Sequence, residues 1–527
     1  MKKNGVFSQA VVWLLLGYMA VAVVLPMGRM FLQIGQVDAL KILSSRAFSK
    51  ALRQSVIVSL SSTAISVTLA FALAWMIART RVRFRKAFTL IFTLPMLIPS
   101  ISHGMGLVIL LGKNGVLTNL LGWSGSIYGF WGIVAGSVMY SFPVAFLMIL
   151  DMLRYEDSQP YEAAGVLGIP RRNQFFAITL PYMRKPMISV IFCVFTMIIT
   201  DYGVPLTVGG KYATLPVVMY QDVIGLLDFG KGSLIGLILL FPAFIAFLMD
   251  MISRDRGSQG YSPSPFQIRR APWRDGAALV VCSAASLLVV LPLLTFLVLS
   301  FVTKYPTDMS WTTEHIARVF QMNAGSYLAN SLTIAALVGL LGLTLTTLAA
   351  YYSARRPSLS ARVLHLLSLA TLAIPGLVLG LSYALFFSGG WPYGTLAILV
   401  MVNSVHFFSS PYLMIYNTFC KLNANLEDVG LTLGVRPGAI FRDVLLPQAK
   451  GTLWEMFSYF FVNCMMTISA VSFLANLSTK PLSLMINQFE SQMMLESAAL
   501  VSLLILSANL LMKGLCALIR KRAGKVR

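Results

Sequence analysis

The sequence predicts an all-α polytopic membrane protein of twelve transmembrane helices, arranged as two parallel six-helix repeats. Three observations carry this reading: an apolar composition, twelve long apolar runs, and a match between the two halves. Of 527 residues, 57% are hydrophobic and only 11% charged, and mean hydropathy is +0.77, whereas a soluble domain usually has about 25% charged residues. A hydrocarbon core of ~30 Å needs about 20 apolar residues per crossing helix. Runs of that length fall at 10–32, 52–78, 87–111, 127–153, 183–206 and 232–252, then at 276–301, 327–353, 363–388, 393–418, 450–475 and 496–519.

The first run follows Lys2 and Lys3, as a signal peptide would. Its length, and the lack of a small-x-small cleavage site, favour a retained span. With the amino terminus in the cytoplasm and twelve alternating spans, 30 of the 41 Lys and Arg residues fall on the cytoplasmic side. This is the positive-inside pattern, and it puts both termini in the cytoplasm. The formal charge of +22 therefore reports topology and contact with anionic lipid. Nucleic-acid binding is excluded because no basic segment has the interleaved aromatics it needs.

The halves align at an offset of 276: Gln54-Ser55 with Asn330-Ser331, Ala78-Arg79 with Ala354-Arg355, and Ile98-Pro99 with Ile374-Pro375. The offset then falls to 266 and holds as far as Gly232-Ser233 opposite Ala498-Ala499. The first half thus has about ten extra residues between Gly112 and Tyr128, an external loop with a short interfacial helix. Residues 1–252 form the first half, 253–275 a Ser-, Pro-, Gly- and Arg-rich cytoplasmic linker, and 276–527 the second half. An even number of spans per half makes the repeats parallel, related by an axis along the membrane normal.

Two polar loops, 156–185 and 421–450, share a pattern. In the first, Pro160 suits a first helical turn, Glu162, Ala163 and Ala164 continue the helix, and Gly168 ends it. A second amphipathic stretch with Phe175 leads to Leu180-Pro181. In the second loop Asp428, Gly434, Phe441 and Leu446-Pro447 take the matching places, with Val429 and Gly430 for the two alanines. Gly430 should loosen its helix by up to about 1 kcal/mol relative to Ala.

This pattern resembles the EAA loop of permease subunits of binding-protein-dependent ABC importers with the type I fold. The resemblance covers roughly residues 50–255 and 325–520. It implies a bacterial inner-membrane protein whose coupling residues are Glu162, Ala163, Ala164 and Gly168, with Asp428 and Gly434. It also implies two copies of an ATP-binding subunit, one per loop, and an extracytoplasmic solute-binding protein. ATP and Mg would sit on the partner subunits, since the chain has no GxxxxGK[ST] loop to cradle phosphates and is expected to bind no cofactor and catalyse nothing.

Polar residues on the inner spans are candidates for the pathway: His103, Tyr140, Ser141, Thr200, Asp201 and Tyr202, then Asn403, His406, Ser409, Ser410, Asn463, Thr467 and Ser469. Each alone is commonly a packing group, whereas Asp201 stands out as a carboxylate near the membrane. Pro99 and Pro375 occupy matching places where helices bend to form a gate. Four scattered His and five scattered Cys give no metal-ligand spacing. Met465-Met466 and Met493-Met494 are expected to pack. An ion-coupled secondary transporter is the alternative from another class, weakened by the scarcity of intramembrane carboxylates. For cargo, the runs after the fifth span of each half resemble fused 2-aminoethylphosphonate permeases most, with ferric iron or thiamine permeases as alternatives.

Overall fold

The computed structural model describes residues 2–122, 125–253, 264, 266, 268, 270–423 and 425–524. The first half comprises α1 (Gln9–Ile34), α2 (Arg46–Arg79), α3 (Arg85–Thr93), α4 (Ser100–Leu111), α5 (Phe130–Arg154), α6 (Gln159–Val166), α7 (Leu180–Ile199), α8 (Gly203–Val208), α9 (Leu215–Leu226) and α10 (Phe229–Ser253). The second comprises α11 (Pro272–Leu299), a hairpin of β1 (Val302–Lys304) and β2 (Asp308–Trp311), α12 (Glu314–Gln321), α13 (Ala324–Arg355), α14 (Leu359–Ala370), α15 (Gly376–Phe387), α16 (Leu396–His406), α17 (Ser409–Lys421), α18 (Leu426–Thr432), α19 (Leu446–Met466), α20 (Ser483–Ser491) and α21 (Leu495–Gly524).

Among the described residues, nine helices are long and apolar enough to cross a membrane, and two bent pairs raise the number to eleven. The predicted run 450–475 is not one of them. Its helix α19 carries Lys450, Glu455 and Asn463 and stops at Met466, where Thr467 turns extended. The predicted 183–206 span likewise stops at Ile199, and α8 begins after a break. In both halves the chain leaves the fifth helix early and returns through a short helix, α9 or α20. A serine on the second helix ties each return segment down: Ser55 Oγ accepts from Leu215 N, and Ser331 Oγ from Leu482 N, both at 2.7 Å. The inserted loop has its short helix at Val116–Leu121, with residues 123 and 124 outside the described residues. Of the predicted linker, 254–263, 265, 267 and 269 also lie outside them.

The first helix of each half packs across the pseudo-twofold axis. Tyr18 on α1 hydrogen-bonds Ser404 Oγ at 2.7 Å, and the Tyr383 hydroxyl donates to Ala22 O at 2.7 Å. In return α11 packs on α3 and α4 of the first half. The halves also meet where Ser102 and Ser502 hydrogen-bond at 2.9 Å and the Asn509 amide donates to Leu97 O. At the counterparts of that serine pair, Val378 faces Gly236, where a Cβ would lie 3.5 Å from Val378 Cγ2, so one crossing is polar and the other apolar. The β hairpin, not expected from the sequence, sits at the seam. Tyr305 donates its N–H to Glu496 and its hydroxyl to Asn114 O, joining the two halves.

Candidate coupling surface and translocation pathway

Each polar loop folds as the glycine pattern dictates. Gly168 and Gly434 adopt φ of +70° and +74°, a left-handed conformation open to glycine at little cost. The next residue closes the cap: Ile169 N donates to Ala164 O, and Val435 N to Gly430 O, both at 2.9 Å. This is the six-residue Schellman closure that satisfies the last helical carbonyls. A π-helical turn follows at the same register in each loop, Phe175–Thr179 and Phe441–Leu445. Pro181 and Pro447 come just after and lack the N–H a regular turn would need.

Glu162, Ala163 and Asp428 are exposed, while Ala164 is buried. Glu162 accepts a hydrogen bond from Ser158 Oγ at 2.9 Å. Beside these residues stand uncovered apolar side chains, Val166 (89% exposed), Leu167 (76%) and Leu433 (74%), with Val429. Gly430 has a packing reason: a Cβ there would come within 2.4 Å of Ile440 Cδ1. The loss of one methyl on α18 is thus filled by a side chain from the next helix.

The sequence alignment matched Arg79 with Arg355 without giving them a role. In the structure they anchor the loops. Arg79 pairs with Glu156, which also accepts from the Tyr161 hydroxyl on α6. Burial and the Glu156 carboxylate raise the Tyr161 hydroxyl above its usual range, keeping it a donor. Arg355 instead pairs directly with Glu427 on α18, the position equivalent to Tyr161, and also caps Leu422 O and Asn423 O. The first anchor has an added layer: Arg79 lies 3.6 Å from the Phe266 ring centroid, and Ser158 N donates to Ser264 O.

The pathway candidates divide. Tyr140, Asp201, His406 and Asn463 are half-buried, whereas His103 and Asn403 are buried. His103 lies 6.2 Å from Tyr140, ring to ring, with its Nε2 unpartnered. Thr200 and Asp201 sit at the break after α7, where Asp201 accepts from Val204 N at 3.0 Å. Tyr202 reaches Ser472 Oγ of the other half at 2.6 Å and stacks on Tyr220 at 4.8 Å. Thr467 is buried at the matching break after α19. Asn403 donates back to Leu399 O, Ser141 bonds Ser66, and Ser409 bonds Ser368 O, all helix-packing contacts.

Pro99 and Pro375 stand where helices restart after a break. Ile98 is extended before α4, and α14 and α15 with their short turn are bent by 111°. The residue after each proline meets the residue two places after Asp201 or its counterpart Thr467. A Cβ on Gly203 would come within 2.3 Å of Ser100 Oγ, and one on Gly376 within 2.2 Å of Ser469 Oγ. Serine and glycine have exchanged sides between the halves, a reciprocity visible in the aligned sequence but meaningful only once the contact is known. Cys282, Cys464 and Cys516 are buried, as packing residues are, whereas Cys420 is exposed. Among the described residues no cluster of His, Cys, Asp or Glu could hold a metal.

Two repeated helical halves, each with a capped helix held outside the apolar layer, define a polytopic membrane protein built on an internal duplication. The family described as the binding-protein-dependent transport system inner membrane component matches residues 66–256 and 342–525, and the chain belongs to it. It is 24% identical over 401 residues to a putative ferric transport system permease protein of Haemophilus influenzae, covering 72% of this chain and 63% of the relative. It is 24% identical over 404 residues to a ferric transport system permease protein of Actinobacillus pleuropneumoniae, covering 72% and 58%. A thiamine transport system permease protein of Escherichia coli is 23% identical over 384 residues, covering 69% of each chain. The matched part is thus less than two thirds of either ferric relative. These relatives are named for ferric iron and thiamine, so the first expectation of 2-aminoethylphosphonate gains no support from them.

Proposed function

We propose that this chain forms the membrane pathway of an ATP-driven importer that receives a cation, ferric iron, from a solute-binding protein. The observation that carries the importer reading is the pair of loops, alike in glycine cap, π-helical turn and arginine anchor. Exposed apolar residues beside Glu162 and Asp428 suit burial in a partner, and two such handles fit two copies of an ATP-binding subunit carrying ATP and Mg²⁺. Closure of those subunits would draw α6 and α18 together and open the pathway outward; hydrolysis would reset it. The breaks at Pro99 and Pro375, with the Ser100–Gly203 and Gly376–Ser469 contacts, are the parts placed to gate it.

The ferric reading is supported by the ferric permease relatives and by the oxygen donors of the half-buried Asp201 and Tyr140, which hard cations prefer. Thiamine is the second reading, supported by the thiamine permease relative.

The test is uptake by the permease reconstituted with its ATP-binding subunit and solute-binding protein. ATP-dependent accumulation of ⁵⁵Fe is expected; accumulation of labelled thiamine alone would select the second reading. Transport by the chain alone, driven by an ion gradient, would overturn the importer reading in favour of a secondary transporter. A Glu162→Lys change should abolish uptake, and full uptake with normal ATPase association would sink the coupling assignment.

A further inference from the structure

A cavity of about 450 Å³ opens beside the first coupling loop, where the ends of α2 and α5 meet the start of α3. Four cations line it, Arg79, Arg85, Lys86 and Arg154, together with Thr89 and the Phe266 ring, and among the described residues no carboxylate is in the lining. Arg79 is neutralised by Glu156. Arg85 donates to Thr80 O, a neutral acceptor, and among the described residues Arg154 pairs with Asp151 alone, at 4.0 Å, both well exposed. The nine-residue α3 begins after Phe84 at φ +63° with no side-chain cap, so its first N–H groups add to the positive field.

We propose that this cavity is a binding site for a phosphate-bearing anion, supplied by the headgroup of an anionic phospholipid. The repeat offers an internal control against a mere topological surplus of charge. At the matching positions of the second half Arg85 becomes Ala361, Arg154 becomes Cys420 and Thr89 becomes His365, leaving Arg355 and Arg362. The cluster was built in one half only. Its depth points to lipid as the source. Leu90 on α3 is 60% exposed, a ridge along which an acyl chain can lie, and the nearby Trp273 is 92% exposed at the start of α11. Trp273 adjoins the site through Asp275, which accepts from Arg81 N at 3.1 Å. An exposed tryptophan at a helix end marks the headgroup level.

The experiment uses the full chain in nanodiscs of phosphatidylcholine doped with phosphatidylglycerol or cardiolipin, with lipid retention read by native mass spectrometry. Wild type should retain the anionic lipids selectively. Arg85→Ala with Lys86→Ala should weaken retention roughly thirtyfold, about fivefold per cation removed from near the surface. Thr89→Trp, which fills the cavity and leaves every charge in place, should cause a comparable loss, while Arg362→Ala in the second half should change nothing. Saturable binding of inorganic phosphate, lost in the same variants and without lipid selectivity, would keep the site and make its source a soluble anion. Retention unaffected by either first-half variant, or lowered as much by Arg362→Ala, would overturn the proposal. None of these readouts depends on cargo or ATPase.

Discussion

The two coupling loops hold the same pose by different means. In the first, the acid that anchors the loop, Glu156, precedes α6, and the helix reaches it through the Tyr161 hydroxyl. In the second, the acid is on the helix itself, at Glu427, and meets Arg355 with nothing between. Phe266 and Ser264 brace the first anchor and not the second. A duplicated unit has thus kept its geometry while its chemistry drifted: the cap, the π-helical turn and the arginine are common, and the acid has moved. The first anchor spreads its acid's bonds over Arg79 and Tyr161, whereas in the second the acid Glu427 meets Arg355, which also holds the carbonyls of Leu422 and Asn423.

The largest effect that can test this contrast is removal of Arg355. Arg355→Ala leaves Glu427 buried without its partner, at a cost of about 3–5 kcal/mol, and thermal unfolding of the purified protein measures it. The double change Arg355→Ala, Glu427→Leu should recover most of the loss. Arg79→Ala should cost less because Glu156 keeps the Tyr161 bond, and an equal or greater loss there would break the comparison. Next in size, Gly168→Ala and Gly434→Ala force a side chain into the left-handed region for about 1–2 kcal/mol each. Equal penalties in the two loops would confirm that the cap is the shared element. Tyr161→Phe should cost roughly 1 kcal/mol, and Glu427, which replaces that tyrosine, gives the second half no equivalent change.

Gly430→Ala gains helix propensity of about 1 kcal/mol but drives a methyl into Ile440, so the net change should be small and unfavourable. Adding Ile440→Val should turn it favourable, which distinguishes compensation from simple looseness. The smallest effect lies on the opposite face. Burial pushes the Glu490 carboxyl up to about 7, whereas its first-half counterpart is Ile224. A folded-state value above the unfolded one means the native state holds the extra proton, so stability should fall as pH rises from about 4.5 to about 7 and then level off. Partial exposure of Glu490 screens the effect. Melting curves across that range should lose their slope in Glu490→Gln.

The duplicated plan, the glycine-ended helices and the proline breaks were legible because each is written in local residue pattern: Gly168 and Gly434, Pro99 and Pro375, Ser55 and Ser331. What the pattern hid was long-range. The partners of Arg79 and Arg355 lie more than 70 residues away in the chain, and nothing local to Glu156 or Glu427 announces them. The fifth spans were drawn too long because hydropathy continues through Ile468 and Val471, whose burial comes from neighbouring helices after the backbone has left α19. The Ser100–Gly203 and Gly376–Ser469 exchange was hidden because its partners lie far apart in the chain and follow different repeat offsets.

The crossing of α1 onto the second half bears on how the chain is made. Tyr18 leaves the ribosome 386 residues before Ser404, its hydrogen-bond partner. During that interval the Tyr18 end of the first helix lacks its second-half neighbours, although α10 of its own half packs on the Leu25–Ile34 part, and lipid or the insertion machinery must cover the exposed end. The first half is therefore a poor folding unit while synthesis continues, and maturation waits on the arrival of α15 and α16. A chain cut within the linker and expressed as two pieces should assemble only when both pieces share one membrane from the start.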